Sequence, residues 1–225
     1  YYRYYGVITS FFTNLTNLEI TKPENYSEET VNEILDDVQA GEKYATQPLY
    51  PESYGATTPA DEIEKKPTII YVMDESYWDV SELEDYGFVF DTDVSANLHV
   101  LQQTSASGRA YSPSFGGGTC DVEFEALTGY SVSYLPNGSK PYQQHVTKPM
   151  FSLPNYLKLT EGYQTAAVHC FWAKYWSRDT AYPNLGFDDF ISLEDMHHVQ
   201  KVRKHYWTTG LVTDDSMADQ IIEQY

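Results

Sequence analysis

The sequence predicts an α/β fold built on a mainly parallel, helix-covered sheet, and three observations predict it. Pro67 to Met73 (PTIIYVM) is a short apolar, β-branched run bounded by the charged stretch Glu62-Ile63-Glu64-Lys65-Lys66, which is the pattern of a buried strand. Gly116-Gly117-Gly118 frees the backbone just before Thr119, and Val122, Phe124 and Leu127 follow in a helical pattern with acidic residues in the first turns. A helix from about Ser152 to Thr160 precedes a strand from Tyr163 to His169, and that alternation with short connections is what a parallel sheet requires.

In chain order, residues 1 to 19 place Val7, Ile8, Phe11, Phe12, Leu15 and Leu18 at helical spacing behind an aromatic start, which suits either a helix packed on the domain or a membrane–water interface. Ser27-Glu28-Glu29 opens a second helix, to about Val38, with Val31, Ile34, Leu35 and Val38 inward. A linker rich in Pro, Tyr, Gly and Thr runs from about Gly41 to Lys66. After the 67–73 strand, Leu83 to Phe90 includes a short strand, Ala96 to Leu101 is helical, and Gly108 to Ser112 is the strand that delivers the chain to the glycine loop. The helix after Thr119 ends near Gly129, Pro136-Asn137-Gly138 marks a turn, Phe171 to Phe190 is an aromatic loop, and Asp214 to Tyr225 is a last helix.

The chain has 225 residues, long enough for one domain with a substantial core. Its net charge of −19, from 33 acidic and 14 basic side chains, excludes the basic face a nucleic-acid binder needs. No run approaches the ~20 apolar residues that span a bilayer, and no signal peptide is present. Cys120 and Cys170 form no zinc spacing; they are either paired in an oxidising compartment or buried free thiols, the second being the commoner state.

The chemistry gathers at two places. A helix N-terminus presents outward N–H groups and partial positive charge, so an anion is favoured beside Thr119 and its hydroxyl suits attack on a phosphate or sulfate. The same Thr suits an ordinary N-cap. Glu75 stands just beyond the 67–73 strand, where ligands of open α/β sheets gather, and a carboxylate there can share a hard divalent cation with the Thr119 hydroxyl. Asp121 and Glu123 read as structural, and His197-His198 and His205 as solvated or network histidines.

The runs IIYVMDES and YSPSFGGGTCDVEFEALTG resemble the lipoteichoic acid synthase and phosphoglycerol transferase family of the alkaline phosphatase and sulfatase superfamily. The run from Ala167 to Asp179, with Leu185-Gly186-Phe187-Asp188-Asp189-Phe190, agrees in the same order. The resemblance implies helices on both faces of the sheet. It divides the chain into 1–66, juxtamembrane helices and wrapping linker, and 67–225, the N-terminal portion of an extracellular catalytic domain whose membrane anchor precedes residue 1. It implies Thr119 as nucleophile, Glu75 and Thr119 as metal ligands, and His169, Trp176 and Arg178 as substrate-binding residues. The implied cation is Mn2+, with Mg2+ as the alternative. The implied reaction passes glycerophosphate from phosphatidylglycerol to a growing glycerophosphate polymer through a threonine-bound intermediate, at the cell membrane.

The family completes its metal site with an adjacent Asp-His pair, and no Asp-His dipeptide occurs in these 225 residues. The chain is therefore expected either to stop short of that pair or to carry a degenerate site, and to be inactive by itself. Other readings are a sulfatase or another phosphotransferase of the superfamily, or an inactive glycerophosphate-binding module. A sulfatase would carry a Cys/Ser-x-Pro-x-Arg setting, which Thr119-Cys120-Asp121 lacks.

Overall fold

A computed structural model describes residues 22–39, 66–202 and 211–225, and the segment 1–19, the linker to Lys65 and His205 lie outside them. The described residues fall into two compact units, one holding 22–39 and 66–111, the other 112–202 and 211–225.

In the first unit, α1 (Glu28–Gln39) starts where its sequence says it should. The Ser27 hydroxyl accepts the Thr30 N–H at 3.0 Å, and Glu28 and Glu29 complement the helix dipole. Val31, Ile34 and Leu35, expected inward, are exposed.

The 67–73 run differs more. It is extended but forms no strand, and Ile69, Ile70, Tyr71 and Val72 are all at least half exposed. Propensity prepares a strand, but a ladder partner completes it, and no described segment pairs with this one. The residues 108–112 form no strand either. In place of a strand within 83–90 there is a 3-10 helix, Val80–Tyr86. The Asp79 carboxylate caps it by accepting the Ser81 N–H at 3.0 Å, and Gly87 ends it at φ 88°. The helix α2 (Ala96–Thr104) brings His99 between Asp79 and Asp93, at 3.0 and 2.9 Å, and these two carboxylates raise the pKa of the imidazole.

The second unit follows the predicted order more closely. The helix α3 (Thr119–Thr128) ends at Gly129, whose φ of 73° is the left-handed conformation that a helix stop favours. A short turn of helix, α4 (Pro141–Gln144), follows. In α5 (Leu153–Glu161) the Ser152 hydroxyl caps the Asn155 N–H, and Gly162 closes the other end. Strand β1 (Ala166–Val168) pairs in parallel with β2 (Asp189–Ile191), in the register Ala166 to Asp189, Ala167 to Phe190 and Val168 to Ile191.

The crossover between them, expected as aromatic loop, is a 3-10 turn (Tyr175–Ser177) and α6 (Arg178–Asn184). Strands β3 (Lys201–Val202) and β4 (Leu211–Val212) pair antiparallel, and α7 (Asp214–Gln224) starts at Thr213, which caps the Ser216 N–H. The mainly parallel sheet is thus represented, among the described residues, by the β1–β2 pair.

Cys120 and Phe124 of α3, Tyr142 of α4, Val146, and Ala181, Tyr182 and Leu185 close the core. Tyr182 stands edge-on to Tyr142 and Phe190, with centroids 5.9 and 4.7 Å apart. Phe124, Val146 and Leu185, taken from water, contribute about 1.5–3 kcal/mol each. This core fixes the start of α3 against the crossover that carries Trp176 and Arg178.

Candidate functional site

The glycine loop is folded by its own polar groups. The Ser114 hydroxyl donates to the Gly117 carbonyl, and Gly116, Gly117 and Gly118 all adopt positive φ, at 73°, 125° and 91°. Gly118, which has no side chain to offer, is the residue that caps α3. Thr119 is therefore the first residue inside the helix, half-buried, and its ordinary reading as the N-cap gives way.

Directly behind Thr119, the Cys120 thiol is fully buried, and burial, then the Asp121 charge, pushes its pKa up to about 12. It is an inert core thiol; both cysteines are free, so the disulfide alternative falls away. Asp121 accepts from the Lys140 ammonium at 2.6 Å, and that ammonium also lies 5.4 Å from the centre of the Trp176 ring.

Glu123, one turn into α3, is buried and holds Arg178 in a two-pronged pair: Nη2 to Oε1 at 2.5 Å and Nε to Oε2 at 3.1 Å. The Tyr182 hydroxyl donates to the same carboxylate at 2.9 Å. Arg178 is 2 % exposed, so its guanidinium is committed to Glu123 rather than turned outward to a phosphate. Asp121 and Glu123 are structural, as expected, each through an ion pair.

Immediately before Arg178, Trp176 and Ser177 have φ of 59° and 57°, a conformation costing on the order of 1–3 kcal/mol per non-glycine residue. The buried Arg178–Glu123 pair anchors this strained turn, and the turn presents the Trp176 ring to Lys140.

His169 follows β1 and donates its N–H to the Ile191 carbonyl at 2.9 Å. Burial, then the Arg178 charge, lowers its pKa to about 4, so the imidazole is neutral at pH 7. Because the folded pKa lies below the ordinary 6.5, the unfolded chain binds the extra proton between those values. Stability from this group is present above pH 6.5 and is lost as pH falls toward 4. NMR titration of the His169 ring should place its midpoint well below 6.5; a midpoint at or above 6.5 would remove the buried, neutral assignment. His197, by contrast, is an exposed partner of Glu223 at 2.8 Å, a network histidine as expected.

Glu75 belongs to the other unit. It is half-buried, follows the exposed 67–73 run in a turn closed by the Tyr77 N–H on the Asp74 carbonyl, and accepts from the Ser76 hydroxyl at 3.1 Å. The structure brings Thr119, Trp176, His169 and Arg178 into one unit.

Among the described residues no group of three or more His, Cys, Asp or Glu side chains can hold a metal ion. A hard cation takes about six oxygen ligands, and Glu75 and Thr119 offer one carboxylate and one hydroxyl. The residues present do not fit the implied cation by themselves. Sequence reasoning missed Lys140, whose place beside Gly118 depends on a fold contact that spacing does not encode.

The family model described as Sulfatase matches residues 67–225. A Rhizobium meliloti (strain 1021) protein named as a cyclic beta-1,2-glucan modification protein is 34% identical over 224 residues, covering 99% of this chain and 30% of that protein. The chain thus spans under a third of that relative's length.

Among solved structures, Streptococcus pyogenes phosphoglycerol transferase GacH in complex with sn-glycerol-1-phosphate is similar at a TM-score of 0.51 and 23% identity, over 60% of this chain and 35% of that one. That likeness concerns the fold alone. Lipoteichoic acid synthase LtaP from Listeria monocytogenes is similar at a TM-score of 0.40 and 20% identity, over 48% of this chain and 24% of that one.

Proposed function

The chain belongs to the sulfatase family, and from that premise we propose that it forms the nucleophile-bearing part of a phosphoglycerol transferase. One observation carries the reading. Gly118, left-handed at φ 91°, starts α3 without a side-chain cap and sets Thr119 on its first turn.

In the first step the Thr119 hydroxyl oxygen attacks the phosphorus of phosphatidylglycerol and the bond to the diacylglycerol oxygen breaks. The hydroxyl proton ends on diacylglycerol, and the glycerophosphoryl group is left as an ester of Thr119. In the second step an acceptor hydroxyl oxygen attacks that phosphorus, the bond from phosphorus to the Thr119 oxygen breaks, and the acceptor's proton passes to Thr119. The dipole end of α3 favours the charge that develops on the phosphoryl oxygens. Neutral His169 and Trp176 are proposed to contact the donor. Arg178, held by Glu123, is assigned to positioning the Trp176 turn.

For the acceptor, a growing glycerophosphate polymer is the reading of the resemblance. A hydroxyl of a cyclic glucan is the second reading, favoured by the name of the relative that matches 99% of this chain. Metal dependence is proposed at the level of the family, with Glu75 as first candidate ligand and Mn2+ ahead of Mg2+; no step here runs through it. The reading also puts 67–225 on the extracellular side of the cell membrane, where a lipid donor is met, with 1–66 leading to it; the start of the family match at 67 supports that division.

The test uses the natural protein that carries this chain, since the 225 residues alone are expected to be inactive. Incubated with phosphatidylglycerol and no acceptor, it should gain the mass of one glycerophosphoryl group on the peptide holding Thr119, and Thr119→Ala should gain none. A glycerophosphate oligomer or a cyclic glucan is then added, and the one that discharges the adduct is the acceptor. An adduct that persists in Thr119→Ala would falsify the assignment.

A further inference from the structure

An anionic donor approaching a chain of net charge −19 meets a repulsive field, so a local cation has to hold it. Arg178 is enclosed by Glu123 and Tyr182 and is 2 % exposed. Lys140 pairs instead with Asp121, in the first turn of α3. A Cβ built on Gly118, the residue joined to Thr119, would lie 2.8 Å from its ammonium. The side chain is 30% exposed, so a solute can reach it. Asp121, at 2.6 Å, engages one of the three ammonium donors and fixes where the nitrogen sits. The face of Trp176, 5.4 Å away, bounds it on another side.

We infer that Lys140 is the side chain that grips the donor phosphate at Thr119, in the place where the family resemblance puts Arg178. This rests on the reading of Thr119 as nucleophile. Lys140 and the positive dipole end of α3 then hold the same anion from two sides, and Asp121 aims Lys140 rather than touching the donor. The two carboxylates in the first turns divide the work: Asp121 orients the cation that meets substrate, and Glu123 buries the one that does not.

The experiment measures steady-state transfer from phosphatidylglycerol by the natural protein and its Lys140→Gln, Lys140→Arg, Asp121→Asn and Thr119→Ala variants, over a range of salt. A hydrogen bond to a charged group sets the scale, so Lys140→Gln should raise KM for phosphatidylglycerol by about tenfold or more, with a smaller change in kcat. Its KM should also lose most of its salt dependence. Lys140→Arg should recover most of the affinity. Asp121→Asn keeps the ammonium charge and should raise KM less than Lys140→Gln.

Unchanged KM in Lys140→Gln while Thr119→Ala abolishes transfer would overturn the Lys140 assignment and leave the nucleophile standing. Equal KM increases in Lys140→Gln and Asp121→Asn would reduce Lys140 to a structural partner. Transfer by Thr119→Ala would instead remove the reading beneath. Should Lys140→Gln fail to fold, the Lys140→Gln/Asp121→Asn double variant, which removes both charges of the pair, is read the same way against Asp121→Asn.

Discussion

Alanine at position 118 is expected to cut transfer by about a hundredfold, and the loss should come from geometry at Thr119. Gly118 caps α3 at φ 91° and ψ 37°, and a Cβ there would lie 2.7 Å from the Ser114 hydroxyl, 2.8 Å from the Lys140 ammonium and 2.9 Å from an Asp121 carboxylate oxygen. All three atoms are ends of side chains and can retreat, but retreat pulls Lys140 away from Asp121 and Ser114 from Gly117. The positive φ has no such relief, because an L side chain is strained there whatever the space. The cap must therefore shift, and a displacement of about 1 Å at a reacting group can cost on the order of 100-fold in rate. Gly116→Ala is the control: its φ is 73°, and nothing lies within 4 Å of the added carbon. It should lose about 1 kcal/mol of stability and little transfer. Equal activity in Gly118→Ala and the natural protein would sink the argument that this cap places the nucleophile.

The sequence showed helix ends better than strands, for a physical reason. The bounds of α3 and α5 are written in adjacent residues: Gly118 and Gly129 for one, Ser152 and Gly162 for the other. Capping is local chemistry, so it is legible without the fold. A strand is not local. Pro67 to Met73 has the composition of one, yet a ladder partner distant in sequence decides whether it forms, and Ile70 and Val72 stay exposed. The crossover between β1 and β2 was hidden for a related reason. Two strained residues, Trp176 and Ser177, precede α6, which carries Pro183, so its own propensities argue against helix, and a buried ion pair to Glu123, 55 residues earlier, anchors the start of α6. The same distance effect divided the site. The glycine loop and Thr119 announced themselves, whereas Lys140 meets Asp121 across 19 residues through folding alone. Arg178 was identifiable as important; its direction, inward to Glu123, was not.

Arg178→Ala is expected to lower stability by about 3–5 kcal/mol, the scale for breaking a buried ion pair from one side. The loss is this large because the partner stays behind. Glu123 is 6 % exposed, and without the guanidinium its charge loses its paired cation and keeps the neutral Tyr182 hydroxyl as a donor. Arg178→Lys should recover part of the loss, since an ammonium restores the charge but cannot span both carboxylate oxygens as the guanidinium does. Arg178→Met with Glu123→Leu removes both charges and should be far milder than Arg178→Ala, because no uncompensated charge is left inside. Urea unfolding at pH 7 measures all three. The outcome separates two roles for the same residue. An arginine that grips substrate phosphate would leave stability nearly untouched when removed and would raise KM instead. An arginine that anchors the strained Trp176-Ser177 turn against α3 lowers stability first, and transfer falls with it because Trp176 loses its place. A stability change below about 1 kcal/mol in Arg178→Ala, the scale of an exposed pair, would return Arg178 to the substrate and take Lys140 out of that place.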